Sequence, residues 1–377
     1  MGELTPATED EVRDAVRDAA GRREPIAVEG GGTRSGWGRP VQAAHTLRTG
    51  GLTGITSYEP SEMVMSARAG TPLPEIEQAL TENRQRLLFE PMDHRSLYRA
   101  GREPTIGGVF ASNSSGPRRF VAGAARDALL GVRFVNGRGE AVKGGGRVMK
   151  NVTGLDLPKV MAGSWGTLGV VTEVTFKVAP VAETQATLRF EGLDREDAVA
   201  LLAAVMATPC EPTGAAVLAD GATCIRVEGL EQSVATRAER IAKQFADHGA
   251  PKVLRDEASD DLWRAVRDVE DLAGGESDVW RLSVAPSDAP AIVGALGGKA
   301  LLDWQGGLVW LATDAAADAV RQEVTVQGGT AILARASLAR RAVEHVFHPK
   351  PHGLAALEGR VRAAFDPHGV FNPGRMS

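Results

Sequence analysis

Three glycine-rich clusters in the first half of the chain restrict its fold more than any other feature. The first, residues 29–38 (EGGGTRSGWG), has five glycines in ten residues and follows the short apolar run at residues 25–28. The second and third are residues 105–116 (TIGGVFASNSSG) and 163–169 (GSWGTLG). Such a density of glycine is incompatible with a regular element in the first cluster. We therefore predict loops whose backbone closely approaches another group.

Glycine loops flanked by strand patterns suit a ligand that carries a diphosphate. Glycine lets consecutive backbone N–H groups turn toward an anion, and serine or threonine hydroxyls add donors with little bulk. The clusters match neither the GxGxxG fingerprint of Rossmann folds nor a phosphate-binding loop, because GK[ST] occurs nowhere in the chain. The prediction is a phosphate-bearing cofactor, and the alternative is three unrelated tight turns.

Composition excludes several classes of function. The 377 residues suffice for two domains, or for one domain split by an insertion. The net charge of −5 and the scattered lysines and arginines argue against a nucleic-acid partner. No apolar run reaches the ~18 residues of a membrane span, and residues 1–14 do not resemble a signal peptide, so we expect a cytoplasmic protein. Cys210 and Cys224 form no CxxC pair and cannot by themselves ligate an iron–sulfur cluster.

Local patterns predict the order of the elements. Thr8 and Glu11 have the spacing of a capping box and predict a helix over the following residues. Residues 130–142 read as a β-hairpin that turns at a Gly-Arg-Gly sequence. From about Glu183 the glycine loops give way to amphipathic segments rich in alanine and aspartate. A comparable order of strands and helices recurs from residue 251 to about residue 340, which predicts a duplicated α+β unit.

The order of the three clusters, closed by residues 371–374 (FNPG), resembles the vanillyl-alcohol-oxidase superfamily of flavoproteins. Within it the chain is most similar to the E-subunit family of bacterial glycolate oxidase (glycolate dehydrogenase), through residues 150–159 (KNVTGLDLPK) and 365–376 (FDPHGVFNPGRM). The resemblance implies an α+β fold, in which a PCMH-type FAD-binding domain of two α/β subdomains carries an inserted α/β cap domain. The implied limits are residues 1–180 for the FAD-binding domain, 181–345 for the cap, and 346–377 for a C-terminal return.

The resemblance also assigns residues to the cofactor. Residues 30–35 and 112–116 would surround the FAD pyrophosphate. Thr105, Gly107 and Gly108 would approach the isoalloxazine, and residues 163–171 would hold the adenosine and ribityl portions. The Glu90-Pro91 pair would wall the adenine. The implied FAD-binding residues are Gly30, Gly31, Gly32, Thr33, Arg34, Ser35, Pro91, Thr105, Gly107, Gly108, Ser112, Ser114, Ser115, Gly116, Gly163, Gly166, Thr167, Gly169, Val170, Val171 and Asn372. Members that tether FAD carry a histidine in or beside the first loop, and this chain has none there, so we expect non-covalent FAD.

The catalytic residue is left open by the resemblance. Related 2-hydroxy-acid dehydrogenases carry a C-terminal motif rich in histidine and acidic residues that holds a divalent metal, and this chain lacks it. His345, His348 and His352 are spaced HxxHxxxH, but two prolines and no acidic residue lie among them. We predict a surface linker there rather than a metal site. The remaining catalytic candidates are His94 and Arg118.

Arginine and tryptophan supply further candidates. Arginine binds carboxylates in bidentate geometry, so one of Arg102, Arg118 and Arg119 could hold a carboxylate substrate, the alternative being a solvated side chain. Trp165 is interpreted as a lid on the FAD or a core residue. Core packing is predicted, with a cavity wall or partner surface as the alternative, for Trp280, Arg281, Trp304 and Trp310.

The resemblance implies a subunit of a complex that oxidises glycolate, a small 2-hydroxy acid, to glyoxylate. Its partners would be a D-type flavin subunit and an iron–sulfur subunit, and any membrane contact, at the inner face of the cell membrane, would run through these partners. One alternative is a free-standing FAD dehydrogenase that acts on a 2-hydroxy acid or an alcohol. Another is a non-catalytic scaffold that retains FAD for stability.

Overall fold

The computed structural model describes residues 2–147 and 154–376. Residues 2–180 contain strands β1 (Gly2–Leu4), β2 (Ile26–Glu29), β3 (His45–Arg48), β4 (Ile55–Glu59), β5 (Val64–Arg68), β6 (Gln85–Arg86), β7 (Leu129–Val135), β8 (Ala141–Gly145), β9 (Val170–Lys177) and β10 (Ala179–Pro180). The helices of this segment are α1 (Glu9–Arg22), α2 (Leu73–Thr81), α3 (Arg95–Tyr98), α4 (Ile106–Ser112), α5 (Arg119–Ala122), α6 (Ala125–Ala128) and α7 (Leu157–Met161).

Two main sheets organise the first 180 residues. Strands β1, β3 and β2 form a small parallel sheet, and β4, β5, β9, β7 and β8 form an antiparallel sheet in that order. The predicted hairpin is confirmed, since β7 and β8 pair in antiparallel register with Val135 opposite Ala141. The predicted first helix is also confirmed. Thr8 caps α1 by accepting a hydrogen bond from the Glu11 N–H, and Val12 and Val16 bury the apolar face.

The second glycine cluster is not a loop throughout, and that interpretation was wrong for residues 106–112. They form helix α4, because the Thr105 hydroxyl caps the Gly108 N–H and four apolar or small residues face the core. Asn113 ends the helix in the left-handed region, with φ of 52°. The glycines of this cluster therefore serve close packing rather than an extended loop. A Cβ on Gly107 would lie 2.6 Å from the Cβ of Ala69 in the neighbouring segment.

Residues 184–335 carry an eight-stranded sheet, and we call this segment the cap. It contains β11 (Thr184–Phe190), α8 (Arg195–Met206), β12 (Gly214–Val217), β13 (Thr223–Gly229), α9 (Glu231–Gln244), β14 (Lys252–Arg255), α10 (Asp256–Asp268), α11 (Glu270–Ala273), β15 (Asp278–Ser283), α12 (Ala289–Leu296), β16 (Lys299–Asp303), β17 (Leu308–Thr313), α13 (Ala317–Val326) and β18 (Thr330–Arg335). Helices α14 (Leu338–Val343) and α15 (His352–Phe365) follow it.

The cap repeats one arrangement twice. β11 to β14 and β15 to β18 each follow the order strand, helix, strand, strand, helix, strand, and the eight strands form one sheet, β14-β11-β13-β12-β16-β17-β15-β18. The predicted duplication is thus confirmed in element order, although the second copy begins at Asp278 rather than near residue 251. The composition change near Glu183 lies at the start of this sheet, while the domain limits at residues 180 and 345 remain predictions.

The C-terminal residues return to the first sheet. Phe371 bridges Ile26 in parallel register, and both side chains are buried. The Asp366 carboxylate accepts hydrogen bonds from the Val370 and Phe371 N–H groups, which shapes the turn before this bridge. The last residues are therefore placed beside the first glycine loop.

A buried ion-pair network, which we call the Glu228 network, joins the cap to the first segment. The Glu228 carboxylate accepts from Arg118 Nε at 2.8 Å and from Arg86 Nη1 at 2.7 Å. Glu90 accepts in turn from Arg226 at 3.0 Å and pairs with Arg118 at 2.7 Å. Two carboxylates and three guanidinium groups thus neutralise much of one another's charge at the boundary, which fixes the cap relative to the glycine loops.

The described residues contain neither a membrane-spanning helix nor a metal-binding cluster. None of the helices there has the length and apolar character needed to cross a bilayer. No group of three or more histidine, cysteine, aspartate or glutamate side chains there is arranged to hold a metal ion. In the HxxHxxxH segment, His348 Nδ1 instead accepts a hydrogen bond from the Ala331 N–H at 3.2 Å.

Candidate functional site

A cleft of about 640 Å³ lies where the three glycine clusters meet. The first cluster supplies one wall, helix α4 a second, and the third cluster together with the C-terminal return supplies the rest. Its lining residues are Val28, Glu29, Gly30, Gly31, Gly32, Thr33, Arg34, Ser35, Thr49, Ala69, Thr105, Gly107, Gly108, Ala111, Ser112, Trp165, Gly166, Gly169, Val171 and Arg375. None of these is a histidine or a cysteine. The sequence motifs singled out for a dinucleotide therefore converge on one concave surface.

Five consecutive backbone N–H groups in the first loop form no hydrogen bond with the described residues. They belong to residues 30–34, whereas the next N–H, that of Ser35, donates to the Gly32 carbonyl at 3.2 Å. Gly32 has φ of 75°, a conformation that other residues rarely adopt. Successive free N–H groups in such a turn form a concave anion-binding surface of the kind that holds phosphates.

Close backbone packing explains why glycine occupies the floor of this loop. A Cβ on Gly31 would overlap the carbonyl oxygen of Glu103, and a Cβ on Gly30 would overlap the Thr105 hydroxyl. Both neighbours lie at the entry to α4, so the first and second clusters are in contact across the cleft. The unpaired N–H groups are held in place by this packing.

Two buried arginines add positive charge to the same cleft. Arg34 and Arg375 take part in no ion pair with the described residues, and Arg375 Nη2 donates to the Arg34 carbonyl at 3.0 Å. Burial lowers the pKa of each guanidinium to about 10, although both stay charged at neutral pH. Buried cations without a carboxylate partner are costly unless a ligand supplies negative charge. The free N–H groups and these two charges fit a diphosphate.

The cleft contains thirteen of the residues that the sequence assigned to FAD. They are Gly30, Gly31, Gly32, Thr33, Arg34, Ser35, Thr105, Gly107, Gly108, Ser112, Gly166, Gly169 and Val171. The remaining eight, Pro91, Ser114, Ser115, Gly116, Gly163, Thr167, Val170 and Asn372, do not line it. FAD contact at any of these positions stays a prediction.

Asn372 has a structural role behind the cleft. Its Oδ1 accepts from the Val28 N–H at 2.9 Å, and its Nδ2 donates to the Trp165 carbonyl at 2.9 Å. The buried amide thus joins the first and third clusters. The Glu90 carboxylate belongs to the Glu228 network, and contact between the Glu90-Pro91 pair and the adenine stays a prediction.

A second cavity adjoins the cleft, and we call it the inner cavity. It shares Ser112 and Trp165 with the cleft and lies between the first segment and the cap. Its lining residues are Trp37, Met92, His94, Ser112, Asn113, Ser114, Ser115, Arg119, Trp165, Arg281, Trp310, Ile332 and Phe347. Ser114 and Ser115, which the resemblance placed at the pyrophosphate, therefore face this cavity instead of the cleft.

His94 is the one histidine of the inner cavity wall. Its Nδ1 lies 3.1 Å from the Met92 carbonyl oxygen, which can only accept, so Nδ1 carries the proton and Nε2 holds a lone pair. Burial, aided by the charges of Arg34 and Arg281, lowers the pKa of His94 well below 6.5. A neutral imidazole on the wall of this cavity is able to accept a proton from a ligand hydroxyl.

This burial predicts a pH-dependent loss of stability. Because the folded state disfavours protonated His94, the unfolded state binds more protons below pH 6.5, and the free energy of unfolding decreases as the pH decreases. At one unit below pH 6.5 the decrease approaches about 1.4 kcal/mol. Urea unfolding at pH 7.5 and 5.5 should show that His94→Gln removes most of this pH-dependent decrease in stability. His352→Gln, at an exposed position, should leave the decrease unchanged. Equal pH dependence in wild type and His94→Gln would contradict the assignment.

Arg118, the other catalytic candidate, is paired with two carboxylates, and a catalytic role for it stays a prediction. Both of its carboxylate partners, Glu90 and Glu228, are in place, and it lines neither the cleft nor the inner cavity. Arg102 is exposed. Of the three arginines considered as carboxylate ligands, Arg119 alone reaches the inner cavity.

Comparisons with known proteins identify the family. Residues 2–145 match the FAD binding domain family. The chain is 35% identical over 367 residues to glycolate oxidase subunit GlcE of Escherichia coli (strain K12), and the alignment covers 96% of this chain and 95% of that protein. The chain belongs to the GlcE family. Its cofactor is FAD, and it is an FAD subunit of the glycolate oxidase type.

A more distant relative shares part of the sequence, and two solved structures share the fold. Glycolate oxidase subunit GlcD of Bacillus subtilis (strain 168) is 30% identical, over 51% of this chain and 40% of that protein. The crystal structure of p-cresol methylhydroxylase with substrate bound superposes with a TM-score of 0.73 at 14% identity, covering 99% of this chain and 88% of the other. Alkyldihydroxyacetonephosphate synthase superposes with a TM-score of 0.69 at 16% identity, and the superposition covers 98% of this chain and 76% of the synthase chain. The expected PCMH-type fold is confirmed.

Several site residues of this GlcE-family chain escaped the sequence analysis. Arg375 lies within the C-terminal motif, but the resemblance does not assign it to the cofactor. Thr49 and Ala69 line the cleft from segments outside the three glycine clusters. Their positions follow from strand pairing and chain reversal, for which local sequence has no signal. The motif at residues 150–159 lies partly outside the described residues.

Proposed function

We propose that this chain is the FAD-binding subunit of a complex that oxidises glycolate, or a closely related small 2-hydroxy acid, and passes the electrons through flavin to an iron–sulfur partner. The observation that carries the proposal is the cleft, with its five free N–H groups and two arginines that lack an acidic partner. Similarity to GlcE over almost the whole chain supports the assignment to this complex.

Residues 30–34, Arg34 and Arg375 would hold the pyrophosphate of FAD. The flavin, when bound, supplies the acceptor for the hydride of the C–H bond that is broken. Because no histidine or cysteine lines the cleft, binding would rest on hydrogen bonds, charge and burial alone. The inner cavity, which adjoins the cleft at Ser112 and Trp165, would then lie beside the reactive part of the cofactor. His94 Nε2 would accept a proton from a ligand hydroxyl there.

The partner proposal follows from the cysteine content. Cys210 and Cys224 are both buried within the cap, and two thiols cannot ligate a [2Fe–2S] or [4Fe–4S] cluster. One-electron transfer through a cluster therefore requires another chain. We propose an iron–sulfur subunit and a D-type flavin subunit as partners, in the cytoplasm, with any contact to the membrane made by them. A free-standing FAD dehydrogenase that acts on a 2-hydroxy acid or an alcohol, and an FAD-retaining scaffold, are the alternatives.

The visible spectrum of the purified chain tests the cofactor assignment. We expect flavin absorbance near ~375 and ~450 nm that moves entirely into the supernatant after acid precipitation. Colour that stays with the precipitate would contradict non-covalent binding. A colourless chain that cannot be reconstituted with FAD would contradict the proposed function itself.

Turnover of glycolate with an artificial dye separates the three functions. Reduction of the dye only after addition of the D-type and iron–sulfur subunits would support the complex. Turnover by the isolated chain would favour the free-standing dehydrogenase. Tightly bound FAD that no donor reduces would favour the scaffold.

A further inference from the structure

Two guanidinium groups meet in the inner cavity without a carboxylate. Arg119 comes from α5 in the first segment, and Arg281 comes from β15 in the cap. Neither residue forms an ion pair or a side-chain hydrogen bond with the described residues, yet both line the cavity. The first segment and the cap therefore each contribute a positively charged side chain to the wall of this cavity.

The two charges oppose each other. Both guanidinium groups contact one indole, with Arg119 Cζ 4.5 Å and Arg281 Cζ 5.3 Å from the Trp304 ring centroid. Burial and the charge of Arg119 lower the pKa of Arg281 to about 10. The one carboxylate that acts in the opposite direction, Asp303, is itself buried, and its own pKa is raised by desolvation to about 7. Cation–π contacts alone contribute too little to offset the burial of two like charges.

A hydrogen bond and contacts with two tryptophans position the arginines of this site. The Trp304 indole N–H donates to the Gly116 carbonyl at 3.0 Å, which fixes the ring between the two segments. Arg281 also lies 6.0 Å from the centroid of Trp310, so two tryptophans restrict its position. Arginine held in this way presents its planar N–H edge, which matches a carboxylate in bidentate geometry.

We propose that the inner cavity of this chain binds the carboxylate of a small 2-hydroxy acid through Arg281 and Arg119. The site needs neither a metal nor a partner subunit, so the chain would bind substrate itself rather than only receive electrons from a D-type partner. Ser114 and His94 line the same cavity, and the lone pair of His94 Nε2 suits the proton of the 2-hydroxyl. The aromatic remainder, Trp37, Trp165, Trp310 and Phe347, carries no charge of its own and favours a short ligand.

This inference deepens the proposed function and rests on it only for the position of the flavin. The experiment is titration of the purified, FAD-loaded full-length chain with oxalate, a carboxylate that flavin cannot oxidise by hydride transfer. Binding is followed by isothermal calorimetry and by tryptophan fluorescence, since tryptophans wall the cavity. Loss of one charge-assisted interaction corresponds to about 1.5–3 kcal/mol, which is a Kd raised roughly 10- to 150-fold.

Four variants make the test specific. Arg281→Gln and Arg119→Gln should each raise the oxalate Kd by at least about tenfold. The Kd of Arg281→Lys should lie between those of Arg281→Gln and wild type, because lysine keeps the charge but lacks the planar guanidinium group that binds a carboxylate in bidentate geometry. Arg264→Gln is the matched control, because Arg264 is a half-exposed cap arginine that pairs with Asp261 within α10, and its Kd should equal that of wild type. Circular dichroism checks that each variant is folded. If Arg281→Gln does not fold, the oxalate Kd values of Arg119→Gln and Arg281→Lys test the inference.

The possible outcomes distinguish failure of this inference from failure of the proposed function. A wild-type chain that retains FAD but does not bind oxalate would do so while leaving the proposed function intact. Arg281→Gln with unchanged oxalate affinity but a lowered flavin midpoint potential would place the guanidinium at the negative charge of reduced flavin instead of at a substrate. A chain that binds no FAD, yet binds oxalate in a way that depends on Arg281, would support the anion site and contradict only the proposed function.

Discussion

Replacement of Gly31 by alanine is expected to weaken FAD binding by about 100-fold or more. The added Cβ would overlap the backbone carbonyl of Glu103, which cannot rotate away as a flexible side chain could. The loop must therefore move away from the entry to α4, and the free N–H groups of residues 30–34 lose their common direction. Loss of two hydrogen bonds to a charged group, at about 1.5 kcal/mol each, corresponds to this factor.

The measurement is the Kd of the apo chain for FAD, by flavin fluorescence quenching. Gly21→Ala is the matched control, since Gly21 lies within α1 and a Cβ there meets no atom within 4 Å. That change should leave FAD affinity as it is and should stabilise the fold by roughly 0.5–1 kcal/mol, because alanine loses less backbone entropy in a helix. Gly31→Ala with wild-type affinity would show that the first loop does not hold the cofactor.

Replacement of Glu228 by glutamine is expected to lower the free energy of unfolding by about 3–5 kcal/mol. The Glu228 side chain is only 4% exposed. It forms ion pairs with the guanidinium groups of Arg86 and Arg118, which lie across the boundary between the cap and the first segment. The variant keeps the shape of the side chain but leaves these buried positive charges incompletely neutralised. Denaturant unfolding, monitored by tryptophan fluorescence, measures the loss.

The pH dependence of this effect has a definite sign. Although burial opposes its ionisation, the charge of Arg226 and the hydrogen bond from Arg118 hold the pKa of Glu228 far below its ordinary value of 4.5. Its contribution to stability is therefore complete above about pH 4.5 and is lost as the pH falls below that value. The difference between wild type and Glu228→Gln should be constant from about pH 6 to 8.

Glu191→Gln supplies the control for the Glu228 network. Glu191 pairs with Arg189, but its side chain is 62% exposed, so its loss should cost less than about 1 kcal/mol. A similarly small effect for Glu228→Gln would show that the network does not hold the cap in place. A difference that changes between pH 6 and 8 would contradict the low pKa.

The cleft was largely predictable because its requirements are local. A backbone that turns its N–H groups toward an anion needs glycine at particular positions, and that need is visible in residues 30–32 without any knowledge of the fold. The same holds for the Thr8 cap of α1 and for the hairpin between β7 and β8. The periodic patterns after Glu183 likewise indicated a repeated unit before the eight-stranded sheet was seen.

The inner cavity was decided by tertiary structure alone. Arg118 and Arg119 are adjacent in the sequence, yet the first is fully paired with Glu90 and Glu228 and the second lies unpaired against Trp304. The sequence contains no signal that separates them, because the partner of a charge depends on which part of the cap packs beside it. Burial of His94 and the approach of Arg281 arise in the same way. The sequence by itself thus determined the glycine loops that line the cleft, through the conformational freedom of glycine. The packing of the cap on the first segment determined which charges remain without a partner.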